Sequence, residues 1–205
     1  MQQANIGTLL FDLLTEEEEI IDEQTRHLRF DIELLANRLV EATDWLLGSF
    51  DVSDGDNLPG IGYFGASTGA AAALVAAAKR ADYVKAVVSR GGRPDLAEDE
   101  YLYQVKAPTL LIVGGNDEPV IDMNQEAYAK LRLLKEENAE KKIVIVPGAT
   151  HLFEEPGKLE KVAQLAAQWF SCFLNRHRSQ RGIEEQEEAI MEEETGRIKK
   201  QNEKQ

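Results

Sequence analysis

The five residues Gly65-Ala66-Ser67-Thr68-Gly69 constrain the fold more than any other part of the sequence. They end a short apolar run, residues 61–66, and open an alanine-rich stretch over residues 68–80. A serine with small residues two positions before and after it fits a tight strand-to-helix turn, where larger side chains would clash. The helix that follows would present its positive N-terminal end to the serine. The segment therefore predicts a strand, a strained turn with Ser67 at its tip, and a helix.

Strand-like and helix-like segments alternate along the rest of the chain. Short apolar runs predict strands over residues 6–14, 61–66, 84–89, 108–114 and 142–146. Amphipathic or alanine-rich stretches predict helices after Thr15, over residues 28–48, 68–80, 123–138 and 156–174. Residues 51–60 and 91–100 are predicted loops. This alternation is typical of an α/β fold with a mainly parallel sheet and helices on both faces.

The acidic run Glu16 to Glu19 has a structural explanation. Thr15 is a typical helix cap, and Glu18 stands three residues later, where it would complete a capping box. Acidic side chains also stabilise a helix N-terminus because they oppose its positive dipole end. We therefore predict that a helix starts directly after Thr15.

An acid and a base for Ser67 follow two later strands. Asp117 comes after the strand TLLIVGG, and His151 comes after the strand KIVIVPG. A serine hydroxyl needs a general base, and the base needs an orienting acid. Because parallel strands of an α/β sheet assemble sites at their carboxyl ends, we predict the triad Ser67, Asp117 and His151. An acid at this position can instead cap a helix, and Glu118 and Asp122 are alternative acids.

Two arginines follow the predicted strand over residues 84–89. Arg90 and Arg93 could hold an anionic substrate group at the rim of the site. The alternative is a simple turn in which an arginine pairs with Asp95 or Glu98. The sequence alone leaves both interpretations open.

Composition excludes several classes of function. The formal net charge of -14 disfavours nucleic acid and anionic membrane surfaces as partners. No apolar run approaches the roughly 18 residues that a membrane-spanning helix needs. Cys172 is the only cysteine, so no internal disulfide and no cysteine cluster for a metal can form. These features predict a cytoplasmic protein that needs no metal or organic cofactor.

The last thirty residues differ from the rest. Residues 176–205 are mostly charged and polar, and they predict a frayed helix or a disordered tail outside a domain formed by residues 1–175. A helix that binds a partner protein is the alternative. A homo-oligomer is also left open.

With the serine turn, acid and histidine in place, residues 7–173 resemble the dienelactone hydrolase-related group of α/β-hydrolases. The resemblance is carried by the segments GTLLFDLLTEEEE, RFDIELLANRLVEATDWL, GYFGASTGAAAAL, AVVSRGGRPDLA, TLLIVGGNDEPV and GATHLFEEP. It implies the α/β-hydrolase fold, the triad, and the backbone N–H of Thr68 as an oxyanion donor. Dienelactone hydrolases proper use a cysteine nucleophile, and Ser67 stands in its place here. Some relatives carry a fused phosphoribosyltransferase domain, whose Gly-rich phosphate loop is absent from this sequence.

The start of the chain departs from this resemblance. Full-length relatives begin with further strands and a His-Gly loop that supplies half of the oxyanion hole, so we expect an N-terminally truncated version of the fold. Their third strand lies between the counterparts of residues 6–14 and 61–66, which here would either pair directly or leave a gap. Losing one oxyanion donor costs about 100- to 1000-fold in turnover. The sequence therefore predicts a serine hydrolase for a small ester or lactone, or alternatively a silent domain that binds a partner protein.

Overall fold

A sheet of four parallel strands organises the molecule. The computed structural model describes residues 1, 5–50, 60–131 and 140–174. The strands are β1 (Ile61–Ala66), β2 (Val84–Arg90), β3 (Thr109–Gly114) and β4 (Lys141–Val146). They pair in the order β1-β2-β3-β4, every pair parallel, so that their carboxyl ends share one edge of the sheet.

Six helices and two single turns of 3-10 helix precede, connect or follow these strands in the described ranges. The helices are α1 (Glu16–Thr25), α2 (Ile32–Gly48), α3 (Thr68–Lys79), α4 (Asp99–Gln104), α5 (Glu118–Lys130) and α6 (Lys158–Leu174). The 3-10 turns are Leu28–Phe30 and Pro94–Leu96. The α/β class predicted from the alternating pattern is confirmed.

The core lies on both faces of the sheet because the side chains of each strand alternate between them. In β3, Leu111 faces one side, with α2, α3, α4 and α5, whereas Leu110 and Ile112 face the other side with α6. All residues of β3 are buried, as expected for an inner strand covered on both faces. The alanine-rich helix α3 is buried along most of its length, since small side chains let it pack closely against both β1 and α2.

The N-terminal helix begins as the sequence predicts. Thr15 accepts a hydrogen bond from the Glu18 backbone N–H at 3.3 Å, and the Glu18 carboxylate accepts from the Thr15 N–H at 2.8 Å. Arg38 of α2 donates to Glu18 at 2.7 Å and to the Leu13 carbonyl at 3.2 Å. The capping box therefore also connects α1 to α2.

The prediction of a buried strand over residues 6–14 is wrong. This segment contains no strand, and Leu10 is 95% exposed while Leu9 is 55% exposed. Only its ends contact the core: Ile6 lies against the α6 side, and Leu13 with Leu14 against the α2 and α3 side. A strand is stable when its backbone groups pair with a neighbour, and no described strand lies beside this segment. It neither pairs with β1 nor leaves a gap inside the sheet, and β1 is an edge strand of the described sheet.

Other boundaries differ by a few residues. The predicted loop over residues 91–100 contains the 3-10 turn Pro94–Leu96 and the start of α4. Helix α5 begins at Glu118, five residues before the prediction, because Pro119 is favourable in the first turn of a helix. The predicted end of that helix, most of the polar loop over residues 51–60 and the charged tail over residues 176–205 lie outside the described residues. Within the described ranges no helix has the length and apolar character needed to cross a bilayer.

Candidate active site

One candidate residue lies at or after the carboxyl end of each strand, at the same edge of the sheet. Ser67 directly follows β1, Arg90 is the last residue of β2, Asp117 follows β3, and His151 follows β4. Because the strands are parallel and adjacent, their carboxyl ends lie side by side. The topology therefore collects residues that are up to 84 positions apart in the sequence.

Ser67 adopts the strained backbone that the motif predicts. Its φ is 49° and its ψ is -121°, a conformation that non-glycine residues rarely adopt. Gly65 permits this turn, since a Cβ built there would lie 2.7 Å from the Ala70 Cα and closer still to the Gly69 carbonyl. Gly69 is less restricted: a Cβ there would meet only the Leu13 Cδ1, at 4.0 Å. Within the motif, close backbone contacts therefore require glycine at position 65 and not at position 69.

The N-terminus of α3 presents the backbone N–H of Thr68 beside Ser67. The first amide groups of a helix have no partner within the helix. The Ala70 N–H donates to the Ser67 carbonyl at 3.1 Å, whereas the N–H of Thr68 has no backbone acceptor among the described residues. An unpaired N–H one residue after a nucleophile is the usual position of an oxyanion donor.

His151 and Asp117 form a direct hydrogen bond. The His151 Nδ1 lies 2.7 Å from the Asp117 Oδ2, and the two side chains are 37% and 15% exposed. Glu118 and Asp122, the alternative acids, are exposed and do not bond to His151. No third His, Cys, Asp or Glu side chain joins this pair to form a metal-binding group in the described part of the chain.

The Ser67 hydroxyl and the His151 ring do not form a hydrogen bond in the part of the chain that the structure describes. This bond is often long or misaligned when no substrate is bound, and it shortens in the reacting complex. The pairing of Asp117 with Nδ1 leaves the other ring nitrogen, Nε2, for proton exchange with a nucleophile.

The loops that carry Asp117 and His151 hold each other in place. The Gly115 N–H donates to the Val146 carbonyl at 2.8 Å, and the Asn116 N–H donates to the Ala149 carbonyl at 2.9 Å. A Cβ at Gly114 would lie 2.5 Å from the Ala149 carbonyl oxygen, so the two loops approach too closely for a side chain there. The pair Gly114-Gly115 at the end of β3 is therefore explained by loop contact.

Glu155 holds the histidine loop, a role that the sequence analysis missed. Its Oε1 accepts a hydrogen bond from the Thr150 backbone N–H at 3.0 Å, and Thr150 directly precedes His151. Hydrogen bonding from Thr150, aided by the charge of Lys158, lowers the pKa of the Glu155 carboxyl. Lys158 also donates to the Pro147 carbonyl at 2.6 Å. A carboxylate five residues after Thr150 is the sequence signal that could have indicated this contact.

The segment after β2 contacts both Ser67 and His151, which the sequence analysis also did not predict. The Ser67 N–H donates to the Arg90 carbonyl at 3.3 Å, and the Arg93 N–H donates to the Ser67 carbonyl at 3.1 Å. Gly91 has φ 51°, and a Cβ there would lie 3.6 Å from the His151 Nδ1 and 3.0 Å from the His151 carbonyl oxygen. The pair Gly91-Gly92, just after a predicted strand, is the sequence feature that could have indicated these contacts.

The two arginines have different partners. Arg93 forms a bidentate ion pair with Asp95, at 2.9 Å and 2.8 Å, the arrangement that the turn interpretation expects. Arg90 donates to the Leu152 carbonyl at 3.1 Å and lies over the Phe153 ring at 5.8 Å. Burial lowers the pKa of the Arg90 guanidinium, and no carboxylate in the described ranges lies within ion-pair distance of it. Arg90 is thus a half-buried positive charge beside the histidine loop.

Comparison with known proteins gives two strong matches of family and structure. The model of the dienelactone hydrolase family matches residues 12–177. The crystal structure of a dienelactone hydrolase from Anabaena variabilis ATCC 29413 shares 61% sequence identity and has a TM-score of 0.75. That match covers 84% of this chain and 75% of the Anabaena chain.

The curated relatives are much longer than this chain. Proteins from the Mycobacterium tuberculosis strains CDC 1551 / Oshkosh and ATCC 25618 / H37Rv, both named "Putative phosphoribosyl transferase", are 57% identical over 167 residues. The match covers 82% of this chain and 34% of each relative. The chain therefore spans about a third of the length of these relatives.

More distant structures share the fold alone. An esterase from Pyrococcus furiosus has a TM-score of 0.54 at 16% identity, covering 69% of this chain and 63% of its own. Est1E from Butyrivibrio proteoclasticus has a TM-score of 0.52 at 16% identity, covering 68% and 71%. At this level of identity the likeness concerns the arrangement of strands and helices.

Proposed function

Because the chain belongs to the dienelactone hydrolase family, we propose that it is a serine hydrolase that cleaves a small carboxylic ester or lactone. The hydrogen bond between Asp117 and His151 supports this proposal most strongly, since it orients an imidazole base at the strand end expected for a triad. The strained backbone of Ser67 is a second support. It places the hydroxyl of this half-buried serine at the end of β1 and beside the N-terminus of α3.

The acylation step uses four groups. The Ser67 Oγ attacks the carbonyl carbon while its proton moves to the His151 Nε2, and a tetrahedral oxyanion forms. The Asp117 carboxylate accepts the Nδ1–H and stabilises the imidazolium. The Thr68 N–H donates to the oxyanion. The intermediate then collapses, the bond to the alkoxide breaks, and the leaving oxygen takes the proton from His151.

The deacylation step repeats this chemistry with water. His151 removes a proton from a water molecule, which attacks the acyl group on Ser67 and forms a second oxyanion at the Thr68 N–H. Collapse returns the proton to the Ser67 Oγ and releases the carboxylic acid. For a lactone the leaving alkoxide stays attached to the acyl group, and the product is a single hydroxy acid.

Arg90 and Arg93 remain candidate substrate-binding residues, and their contacts favour Arg90 for this role. Arg93 is neutralised by Asp95, whereas the charge of Arg90 has no carboxylate partner in the described ranges. A half-buried guanidinium beside the site would favour an ester that carries a second, anionic group. Arg90→Gln should therefore raise KM for an ester with a free carboxylate and leave KM for a neutral ester unchanged. Equal changes for both esters would contradict this role.

Hydrolysis of short-chain nitrophenyl esters and of a simple lactone tests the proposal. The wild-type chain should turn these substrates over, and Ser67→Ala should lower kcat by about 1000-fold or more. Ser49→Ala is the matched control, because Ser49 is an exposed serine at the end of α2 whose hydroxyl donates to the Trp45 carbonyl at 2.8 Å. Turnover that survives in Ser67→Ala would exclude the proposed nucleophile.

A second candidate function is that of a catalytically silent domain that binds a partner protein. The apolar side chains of Leu9, Leu10 and Phe11 favour it, because they are exposed in the segment before α1. A folded chain without any reactive serine, eluting as a complex or an oligomer, would support this candidate over the enzyme.

A further inference from the structure

Asn124 is a buried polar side chain in the middle of α5, where an apolar residue would be ordinary. It is 0% exposed. Its Nδ2 donates to the Val120 carbonyl of its own helix at 2.7 Å and to the Gly92 carbonyl at 3.0 Å. Because both partners are carbonyl oxygens, only the amide NH2 can satisfy them. Asp117 stands at the N-cap position of α5 without a side-chain capping bond, so Asn124 connects the helix that follows the acid to the segment after β2.

Gly92 packs closely against α3 and accepts a hydrogen bond from α5. A Cβ at this position would lie 2.7 Å from the Ala70 Cβ and would overlap the Ser89 Oγ. Gly92 is itself buried, and its carbonyl accepts from Asn124. The segment Arg90-Gly91-Gly92-Arg93 is thus packed against α3 beneath it and tied to α5 by one side-chain hydrogen bond.

The same four-residue segment sets the backbone of the nucleophile. The carbonyl of its first residue, Arg90, accepts the N–H of Ser67, and the N–H of its last residue, Arg93, donates to the Ser67 carbonyl. Between them, Gly91 lies against His151 and donates its N–H to the Ile112 carbonyl at 2.8 Å. A shift of the Gly92 carbonyl would therefore move the backbone around Ser67 relative to His151.

We infer that Asn124 is a positioning residue for the site: its amide holds the Gly92 carbonyl and thereby fixes the strained turn of Ser67 relative to His151. The consequence for reactivity rests on the proposed function, whereas the restraint on the segment does not. Loss of the bond should loosen residues 90–93 and misalign the serine, while the packing of α5 on the sheet is retained.

Two substitutions separate this role from simple core stability. Asn124→Leu removes the amide donor and keeps the branching and the number of heavy atoms of the side chain. Asn124→Ser is the second variant, because a serine hydroxyl bonds readily to the carbonyl four residues earlier, here Val120, but is too short to reach Gly92. The matched control is Thr109→Val, which removes a buried hydrogen bond, Oγ1 to the Ala107 carbonyl at 2.9 Å, at the opposite end of β3.

Amide hydrogen exchange measured by NMR is the first readout. Exchange of the Ser67 and Arg93 N–H groups should accelerate by roughly tenfold in both Asn124 variants, relative to the amides of α6, because local opening no longer has to break the Asn124 bond. Thr109→Val should leave this ratio unchanged. An unchanged ratio in the Asn124 variants, with only a uniform increase across the molecule, would overturn the inference.

The rate constant of fluorophosphonate labelling at Ser67 is the second readout. It should fall about tenfold or more in the Asn124 variants, while the fraction labelled at the end point, which reports folded protein, stays near that of the control. Local loosening with an unchanged rate constant would show that Asn124 does not set the reactivity of Ser67, and would also overturn the inference. If exchange accelerates as predicted in the Asn124 variants but the wild-type chain takes up no label, the proposed function is refuted and the restraint by Asn124 is retained.

Discussion

At the scale of single residues, the geometry of Ser67 depends on the absence of a side chain two positions earlier. Gly65→Ala would place a methyl group within 2.7 Å of the Ala70 Cα. The turn must then open, so we expect loss of activity and a destabilisation of several kcal/mol, typical of overpacking in a tight backbone contact. Chemical unfolding and ester hydrolysis measure the two effects.

Gly69→Ala is the internal control for that experiment. A Cβ at Gly69 meets open space apart from the Leu13 Cδ1, and alanine is a better helix former than glycine by about 1 kcal/mol at most. We expect near-normal folding and labelling of Ser67. If Gly69→Ala were as damaging as Gly65→Ala, the steric assignment within the motif would be wrong.

The identity of the acid gives a second prediction at the residue scale. Asp117→Asn removes the charge that stabilises the His151 imidazolium and favours the wrong tautomer, so kcat should fall by about 1000-fold or more. Glu118→Gln, next to it in the chain, and Asp122→Asn should change kcat less than about threefold, since both side chains are exposed and neither bonds to His151. A large loss in Glu118→Gln with a small loss in Asp117→Asn would reverse the assignment.

The sequence predicts the residues at strand ends better than the residues that support them. The positions of Ser67, Asp117 and His151 follow from short local patterns, because each one comes directly after a recognisable strand. Asn124 and Glu155 do not follow a recognisable strand, and the sequence offered only the spacing of Glu155 from Thr150 as an indication of its contact. Their contacts join segments that local patterns treat separately, and a buried amide inside a helix looks in the sequence like any polar residue on a helix surface.

At the scale of secondary structure elements, the segment over residues 6–14 shows where local patterns fail. It is as apolar as β3, and its residues favour a strand, yet it has no strand partner in the described sheet. An apolar run forms a buried strand only where another strand lies beside it. Whether one does depends on the whole fold, which a local pattern does not contain. The start of α1 was predicted correctly, because a cap such as Thr15 acts over three or four residues.

The capping box of α1 gives a prediction for pH dependence. The backbone hydrogen bond from Thr15, with help from Arg38, lowers the pKa of the Glu18 carboxyl below its ordinary value near 4.5. A carboxyl with a lowered pKa stabilises the fold above its ordinary pKa, and this stabilisation is lost as the pH falls through the lowered value. The gap in Tm between wild type and Glu18→Gln should therefore be full at pH 7 and close below about pH 4.5.

Glu17→Gln is the matched control, because Glu17 lies in the same helix turn and is exposed. Its Tm difference from wild type should be smaller and should vary little between pH 7 and pH 4. If Glu18→Gln and Glu17→Gln gave the same profile, the carboxylate of Glu18 would have no special role in the capping box.

At the scale of the whole molecule, the two core layers on either side of the sheet account for folding, and the exposed middle of the segment before α1 contributes little. Leu74 in α3 is 0% exposed, whereas Leu10 is 95% exposed. Leu74→Ala should lower the free energy of unfolding by about 2–5 kcal/mol. The same substitution at Leu10 should change it by less than about 0.5 kcal/mol. Urea unfolding compares them, and a cost at Leu10 similar to that at Leu74 would show that residues 6–14 are packed as a strand.

We propose that the whole molecule assembles an activated serine from strand ends far apart in the chain. Incubation with a fluorophosphonate probe, followed by intact mass and peptide mapping, tests it most directly. We predict one adduct, confined to Ser67, lost in Ser67→Ala and retained in Ser49→Ala. A folded wild-type sample that takes up no probe, or an adduct that persists in Ser67→Ala, would contradict the account.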